Sequence, residues 1–232
     1  MFETFVALLL AHLLADFTLQ TNAILRGKSR PLGMVLHGVI VLVTAQLALG
    51  QFTSIELIVL AIVHIAIDTA KQALGAQRLT GFMVDQGAHV ITLAALAFYA
   101  PNLWGTGLWA EVPLLQTAFI VLGGLVLTLT AGQYAIALLM QPFRVRLRSN
   151  GLPDGGRIIG LLERGLIFAL ILLGQPTAVG FLIAAKSILR FGTAGKDQRM
   201  AEYVIIGSLA SFGWAILCAY GTLALLSLHH GL

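Results

Sequence analysis

Charge is scarce in this chain of 232 residues. Asp, Glu, Lys and Arg make up only 10% of it, where a soluble globular protein carries about 25%. That shortfall excludes a water-soluble fold, because too few ionised side chains remain to cover a surface. Cysteine is nearly absent as well: the one thiol, Cys218, lies inside the last apolar run, which excludes an intramolecular disulfide and a cysteine metal site. A basic n-region is missing, since Met1-Phe2-Glu3 leads straight into apolar sequence, so no cleavable signal peptide is expected. Low-complexity tracts are missing too. No stripe of Lys and Arg with interleaved stacking aromatics accompanies the net charge of +4, so a nucleic-acid partner has no support.

What is abundant is apolar length. Hydrophobic residues make up 58% of the chain and the mean hydropathy is +0.92. They fall in runs of about twenty residues, the length that crosses a bilayer as a helix. The expected fold is all-α, a polytopic transmembrane helix bundle. Breaking the runs at Gly, Pro and charge clusters predicts eight spans, near 3–25, 33–50, 54–74, 82–100, 113–140, 157–173, 176–190 and 201–228. The span 176–190 is short and opens on Pro176, so a re-entrant hairpin there would reduce the count to seven or six.

Positive charge alternates along these spans. Arg26, Lys28 and Arg30 follow the first; Lys71 and Arg78 the third; Arg144, Arg146, Arg148 and Arg157 the fifth; Arg190, Lys196 and Arg199 the seventh. The intervening connections at 50–54, 101–112 and 174–175 hold no Lys or Arg, and 101–112 carries Trp104 and Trp109, an interfacial signature. By the positive-inside rule both termini lie outside. The longest cytoplasmic connection, 141–156, separates a first membrane group, 1–140, from a second, 157–232. Small residues spaced four apart, Gly156 with Gly160 and Gly207 with Ser211, read as close helix-packing faces.

Ionisable residues inside spans are costly, and each asks for a partner or a job. The first span holds His12 and Asp16, the third His64 and Asp68, the fourth Asp85 and His89. A spacing of four puts each pair on one helical face. The order reverses in the fourth span, and so does the direction of the chain, so all three pairs have the same polarity across the membrane. At about 1.5 Å per residue the histidines fall near the midplane, and the aspartates a few ångströms to its cytoplasmic side.

Imidazole and carboxylate without sulfur suit a borderline divalent ion such as Zn, Mn or Fe. Six ligands, His12, Asp16, His64, Asp68, Asp85 and His89, exceed what one tetrahedral ion needs, so the expectation is a divalent ion with room for a second, with Asp16, Asp68 and Asp85 as the catalytic carboxylates. The bland reading is a hydrogen-bonded His/Asp cluster that binds nothing. Gln20 and Gln86 read either as donors orienting a carboxylate or as interhelical hydrogen bonds. Lys71, one turn below Asp68, reads as a substrate-anion ligand or as a snorkelling lysine. His37 in the second span reads as a packed or interfacial residue or as a seventh ligand. In the second group Glu163, Arg164, Lys186 and Arg190 collect on the cytoplasmic side, where they form either interhelical ion pairs or a cradle for an anionic head group.

The runs His12xxxAsp16-Phe17-x-Leu19-Gln20, His64xxxAsp68xxLys71 and Asp85-Gln86xxHis89 resemble a family of small bacterial integral membrane proteins whose domain has no assigned function. The second half, with Gly-Arg-Ile-Ile-Gly-Leu-Leu-Glu-Arg, resembles longer members. The resemblance implies a bacterial inner membrane and supplies no reaction. A looser likeness is to membrane-bound metal-dependent hydrolases with His and Asp on their helices. Three functions follow. The first is a metal-dependent hydrolase open to the cytoplasmic side and acting on an anionic or amphiphilic substrate among the membrane lipids. The second is an ion- or proton-coupled transporter using the same residues, and the third is a non-catalytic interaction subunit.

Overall fold

The computed structural model describes residues 1–20, 31–76, 78–143, 152, 154–191 and 198–231, with the side chains of 189–191 left aside. Among these the chain forms eight helices and no strand. Helix α1, Phe2–Leu13, continues through a π-helical turn, Leu14–Thr18. Then come α2, Pro31–Leu49, α3, Ile55–Ala73, and α4, Leu79–Tyr99. Helix α5, Leu115–Phe143, is interrupted by a second π-turn at Leu127–Ala131. The last three are α6, Gly155–Leu172, α7, Pro176–Phe191, and α8, Gln198–His230. Pro31 and Pro176 sit in first turns, where a missing N–H costs nothing.

Four of these helices, α2, α4, α5 and α8, are long and apolar enough to cross a membrane. The sequence-based count of eight spans exceeds that number for physical reasons. Helix α3 has the length and the hydropathy, but it carries three charged residues, Glu56, Asp68 and Lys71. Helix α6 carries Arg157, Glu163 and Arg164. Helix α7 has 16 residues, and the described part of α1 is equally short. The basic residues expected at 26–30, 144–148 and 196 lie outside the described residues.

The chain divides into two compact units, Met1–Val126 with His229–Leu232, and Leu127–Leu228. The division falls inside α5, upstream of the basic connection 141–156 at which the sequence divides. In the second unit α5 from Leu127 onward packs on α6 through its π-turn, and α6 packs on α7.

In the first unit α1 packs against α2, α4 and the start of α5, while α3 packs against α2 and α4. The four helices α1 to α4 thus surround a common interior. One end of that interior is filled by a purely apolar cluster that includes Leu8, Leu49, Leu57, Leu60, Leu93 and Trp104. The same end is stitched by polar contacts between chain segments far apart in sequence. The N-terminal amine and Thr4 Oγ1 donate to Pro101 O at 3.1 and 2.8 Å. Gln51 Nε2 donates to Leu103 O at 3.1 Å and Thr106 Oγ1 at 2.8 Å, and Trp109 Nε1 to Leu47 O at 2.7 Å. Two glycines permit this approach. Gly50 adopts φ 65° to end α2, and Gly107 lies so close to Leu49 O that a Cβ there would overlap it.

Gly107→Ala should therefore lower the thermal midpoint of the detergent-purified protein by several degrees, on the order of 2 kcal/mol. Gly105→Ala, whose Cβ meets only Asn102 O at 3.7 Å, should leave the midpoint unchanged. Equal midpoints for the two variants would show that the end seal contributes nothing.

Candidate metal centre

The interior of the first unit, beyond the apolar cluster, is lined by histidine and aspartate. His64 and Asp68 on α3, and Asp85 and His89 on α4, project from buried helical stripes. His12 ends α1, and Asp16 sits in the π-turn that follows. The wider π-turn changes the angular step per residue, so Asp16 is turned away from the direction a regular helix gives it. His12 Nε2 and Asp16 Oδ2 are consequently 4.0 Å apart, while Asp16 reaches α2 and α3. His37 on α2, whose exposure is 0%, completes the group.

Three ligand atoms converge, and a fourth lies beside two of them. His37 Nε2 and His64 Nε2 are 3.0 Å apart. Asp16 Oδ1 is 3.2 Å from His37 Nε2 and 3.3 Å from His64 Nε2. Asp68 Oδ2 is 3.5 and 3.8 Å from the same two nitrogens. Asp16 Oδ1, His37 Nε2 and His64 Nε2 thus form a triangle whose sides match the edge of about 3.3 Å that follows from bonds of about 2.0–2.1 Å to a central ion. The same three atoms can also be joined by hydrogen bonds, with one proton shared between the two imidazole nitrogens.

A second group adjoins the first. His89 Nε2 is 3.6 Å from Asp68 Oδ1 and 3.6 Å from Asp85 Oδ1. His89 Nε2 and Asp85 Oδ1 are buried and make no hydrogen bond among the described residues. Asp68 therefore offers one oxygen to each group. Asp16 with His37 and His64, and Asp68 with Asp85 and His89, are groups that could hold a metal ion.

The surrounding polar residues hold the carboxylates in place. Lys71 Nζ donates to Asp85 Oδ2 at 2.7 Å while keeping 28% of its side chain exposed. Gln86 Nε2 donates to Asp85 Oδ2 at 3.2 Å and Asp16 Oδ2 at 3.4 Å. Gln86 Oε1 is 3.2 Å from His12 Nε2, which must be the protonated nitrogen of that ring to donate. His12 in this arrangement orients Gln86 through Nε2, and its buried Nδ1 makes no hydrogen bond among the described residues. Its ring also packs at 5.0 Å from His89 and 5.5 Å from His64, and the three histidines form a further group of ligand type.

Of the residues singled out in sequence, His12, Asp16, His64, Lys71, Asp68, Asp85, Gln86 and His89 come together here. Gln20 lies half-buried just past the π-turn. Glu163, Arg164 and Lys186 belong to the second unit, where Lys186 Nζ donates to Glu163 Oε2 at 2.6 Å. The side chain of Arg190 lies outside the described residues. His37 is the residue that pattern reasoning left undecided, for want of an aspartate four residues away. The available signal was position along the span: His37 lies nearly two turns inside α2, Pro31–Leu49, where a polar residue in an apolar helix asks for a partner on another helix.

Residues 4–109 match the model of a family described as a protein of unknown function, DUF3307. Every residue of the centre falls inside that stretch. No curated protein and no solved structure matches the chain.

Titration of the metal-stripped, detergent-purified protein with Zn²⁺ or Mn²⁺ should show that His37→Ala weakens binding at least tenfold, as much as His64→Ala. Leu14→Ala, on the same α1 segment, should bind as the parent does. Unaltered affinity in His37→Ala would remove that residue from the ligand set.

Proposed function

We propose that the protein is a membrane-embedded metal-dependent hydrolase whose two divalent ions share Asp68. The observation that carries this reading is the pair of Asp68 oxygens, one directed at the His37/His64/Asp16 group and the other at the Asp85/His89 group. Two divalent ions about 3.5–4 Å apart polarise a phosphoryl or carbonyl oxygen and make water a nucleophile near neutral pH. Zn, Mn and Fe are the ions that suit the mixed nitrogen and oxygen donors.

The protein's own groups divide the remaining work. Asp16, His37 and His64, with Asp68 beside the two imidazoles, would hold one ion, and Asp68, Asp85 and His89 would hold the other; such ions would supply Lewis-acid activation of substrate and water. Gln86 and Lys71 fix the Asp85 carboxylate, and the exposed flank of the Lys71 ammonium faces an incoming anionic oxygen. His12 acts through Gln86. The apolar cluster around Leu8, Leu60 and Leu93 excludes water from the other end of the interior. With the Lys71 end cytoplasmic, as the distribution of Lys and Arg favours, the substrate is a phosphorylated, ester- or amide-bearing amphiphile drawn from the inner leaflet of a bacterial plasma membrane.

Activity is tested with purified protein against amphiphiles carrying a phosphate monoester, a carboxylic ester or an amide. The parent should hold two metal ions per chain, Asp85→Asn one and Asp68→Asn none. Loss of Asp68 should reduce turnover by about a thousandfold, or about 4 kcal/mol at 1.36 kcal/mol per factor of ten. Two ions with no hydrolysis of any of the three classes would sink the enzyme reading and leave the metal centre.

Transport is the second reading, and one observation favours it: the imidazoles form a contiguous path, with His64 and His89 stacked at 4.0 Å and His37 at 5.1 Å from His64. Single cysteines in a Cys218→Ser background separate the two. At Leu8, Leu60 and Leu93 they should resist a small water-borne thiol reagent added to intact cells at every pH and metal concentration, while one at exposed Thr106 reacts. Reactivity at Leu60 that switches on with metal or pH would establish a route through the seal and with it a carrier.

A further inference from the structure

The second unit contains a cavity of about 820 Å³ between α5, α6, α7 and α8, distant in sequence from the His/Asp centre. Its walls are mostly aliphatic, with Ile136, Met140, Leu182 and Val204 among them, and its polar groups are few. That volume lies within the range of about 300–1,000 Å³ that encloses a whole small ligand.

The charges on its wall do not balance. Glu163 is neutralised by Lys186 at 2.6 Å, and the Lys186 ammonium also lies 4.8 Å over the ring of Phe212. Arg164 has no such partner: it is 3% exposed and no carboxylate lies within ion-pair distance of it among the described residues. Its hydrogen bonds go to neutral acceptors, from Nε to Thr128 O at 3.0 Å, from Nη1 to Ser211 Oγ at 3.1 Å and from Nη2 to Leu129 O at 3.0 Å. Three of its five N–H groups are thus used. A buried guanidinium without a counter-charge is expensive in an apolar surround, and an anion at the cavity wall offsets that cost.

We infer that this cavity binds the acyl chain of a singly charged anionic amphiphile, whose carboxylate or phosphate head lies against Arg164 and Lys186. An aliphatic wall selects for a chain, and the surplus of one positive charge selects for an acidic head. The head is shared chemistry between a free fatty acid and an acidic phospholipid.

The test uses the full chain purified in an uncharged detergent, with native mass spectrometry after addition of oleate, dioleoylphosphatidylglycerol, dioleoylphosphatidylcholine or inorganic phosphate. One oleate or one phosphatidylglycerol should be retained per chain, at least tenfold more tightly than phosphatidylcholine, and phosphate alone should not be retained. Whichever acidic lipid is kept identifies the source. Lys186→Met reduces the surplus charge to zero and should abolish the tenfold preference. A Cβ at Gly156 meets nothing within 4 Å, so Gly156→Phe should fill the cavity without disturbing the backbone and lose the bound lipid. If that variant unfolds, Gly207→Leu serves instead, since its Cβ makes only ordinary contact with Met140 Sδ at 3.6 Å. Retention of acidic and zwitterionic lipids alike, retention unaffected by the filling variants, or capture of phosphate without a chain would each overturn the inference.

Discussion

The constraint on which the first unit depends is the cost of holding three carboxylates in an apolar bundle. Asp16 and Asp68 share the imidazoles of His37 and His64, and Asp68 and Asp85 share that of His89, and mutual repulsion adds to the desolvation cost of each. Lys71 and Gln86 offset part of it with three hydrogen bonds. The remainder calls for positive charge at the points where the imidazole nitrogens and carboxylate oxygens converge. Without a cation, the contact between His37 Nε2 and His64 Nε2 at 3.0 Å is a hydrogen bond in which one ring donates and the other accepts.

Two π-turns interrupt otherwise regular helices, and each lies beside the polar machinery of its unit. The turn at Leu14–Thr18 carries Asp16 out of register with His12 and toward α2 and α3. The turn at Leu127–Ala131 leaves successive carbonyls short of their usual helical donors. Those carbonyls are taken up by side chains: Leu127 O accepts from Trp214 Nε1, Thr128 O from Arg164 Nε and Leu129 O from Arg164 Nη2. Gly132 permits this, since a Cβ there would lie 2.6 Å from the Trp214 ring. A local departure from the α-helix thus positions a carboxylate in one unit and a guanidinium in the other.

Helix boundaries were legible in the sequence because apolar runs end at Gly, Pro and charge. Sequence-based spans at 33–50 and 54–74 correspond to Pro31–Leu49 and Ile55–Ala73. The His/Asp pairs on α3 and α4 were legible from their spacing of four, which a regular helix converts directly into one face. The spacing of His12 and Asp16 carried the same message for a different geometry, since nothing in Leu-Ala-Asp-Phe-Thr announces a π-turn. His37 had no partner along its own helix, and only its depth related it to residues on other helices. Lys71 and Gln86 were ambiguous because each reaches an acceptor on another helix, Asp85 for Lys71 and Asp16 for Gln86, and pairing across helices is not encoded in spacing. Arg164 read as one member of a charged group, whereas its bonds run to backbone carbonyls exposed by a turn that the sequence does not signal.

The two units differ in the sign of the ligand they suit. In the first, imidazole nitrogens and carboxylate oxygens form groups of the kind that takes a divalent cation. In the second, a guanidinium and an ammonium present N–H groups against one carboxylate, so a metal ion would meet donors already protonated and positively charged. Neither set of side chains can substitute for the other. The match to a family model ends at residue 109, before the second unit begins at Leu127, so the His/Asp groups that could hold a cation lie within the matched stretch and the buried Arg164 lies beyond it.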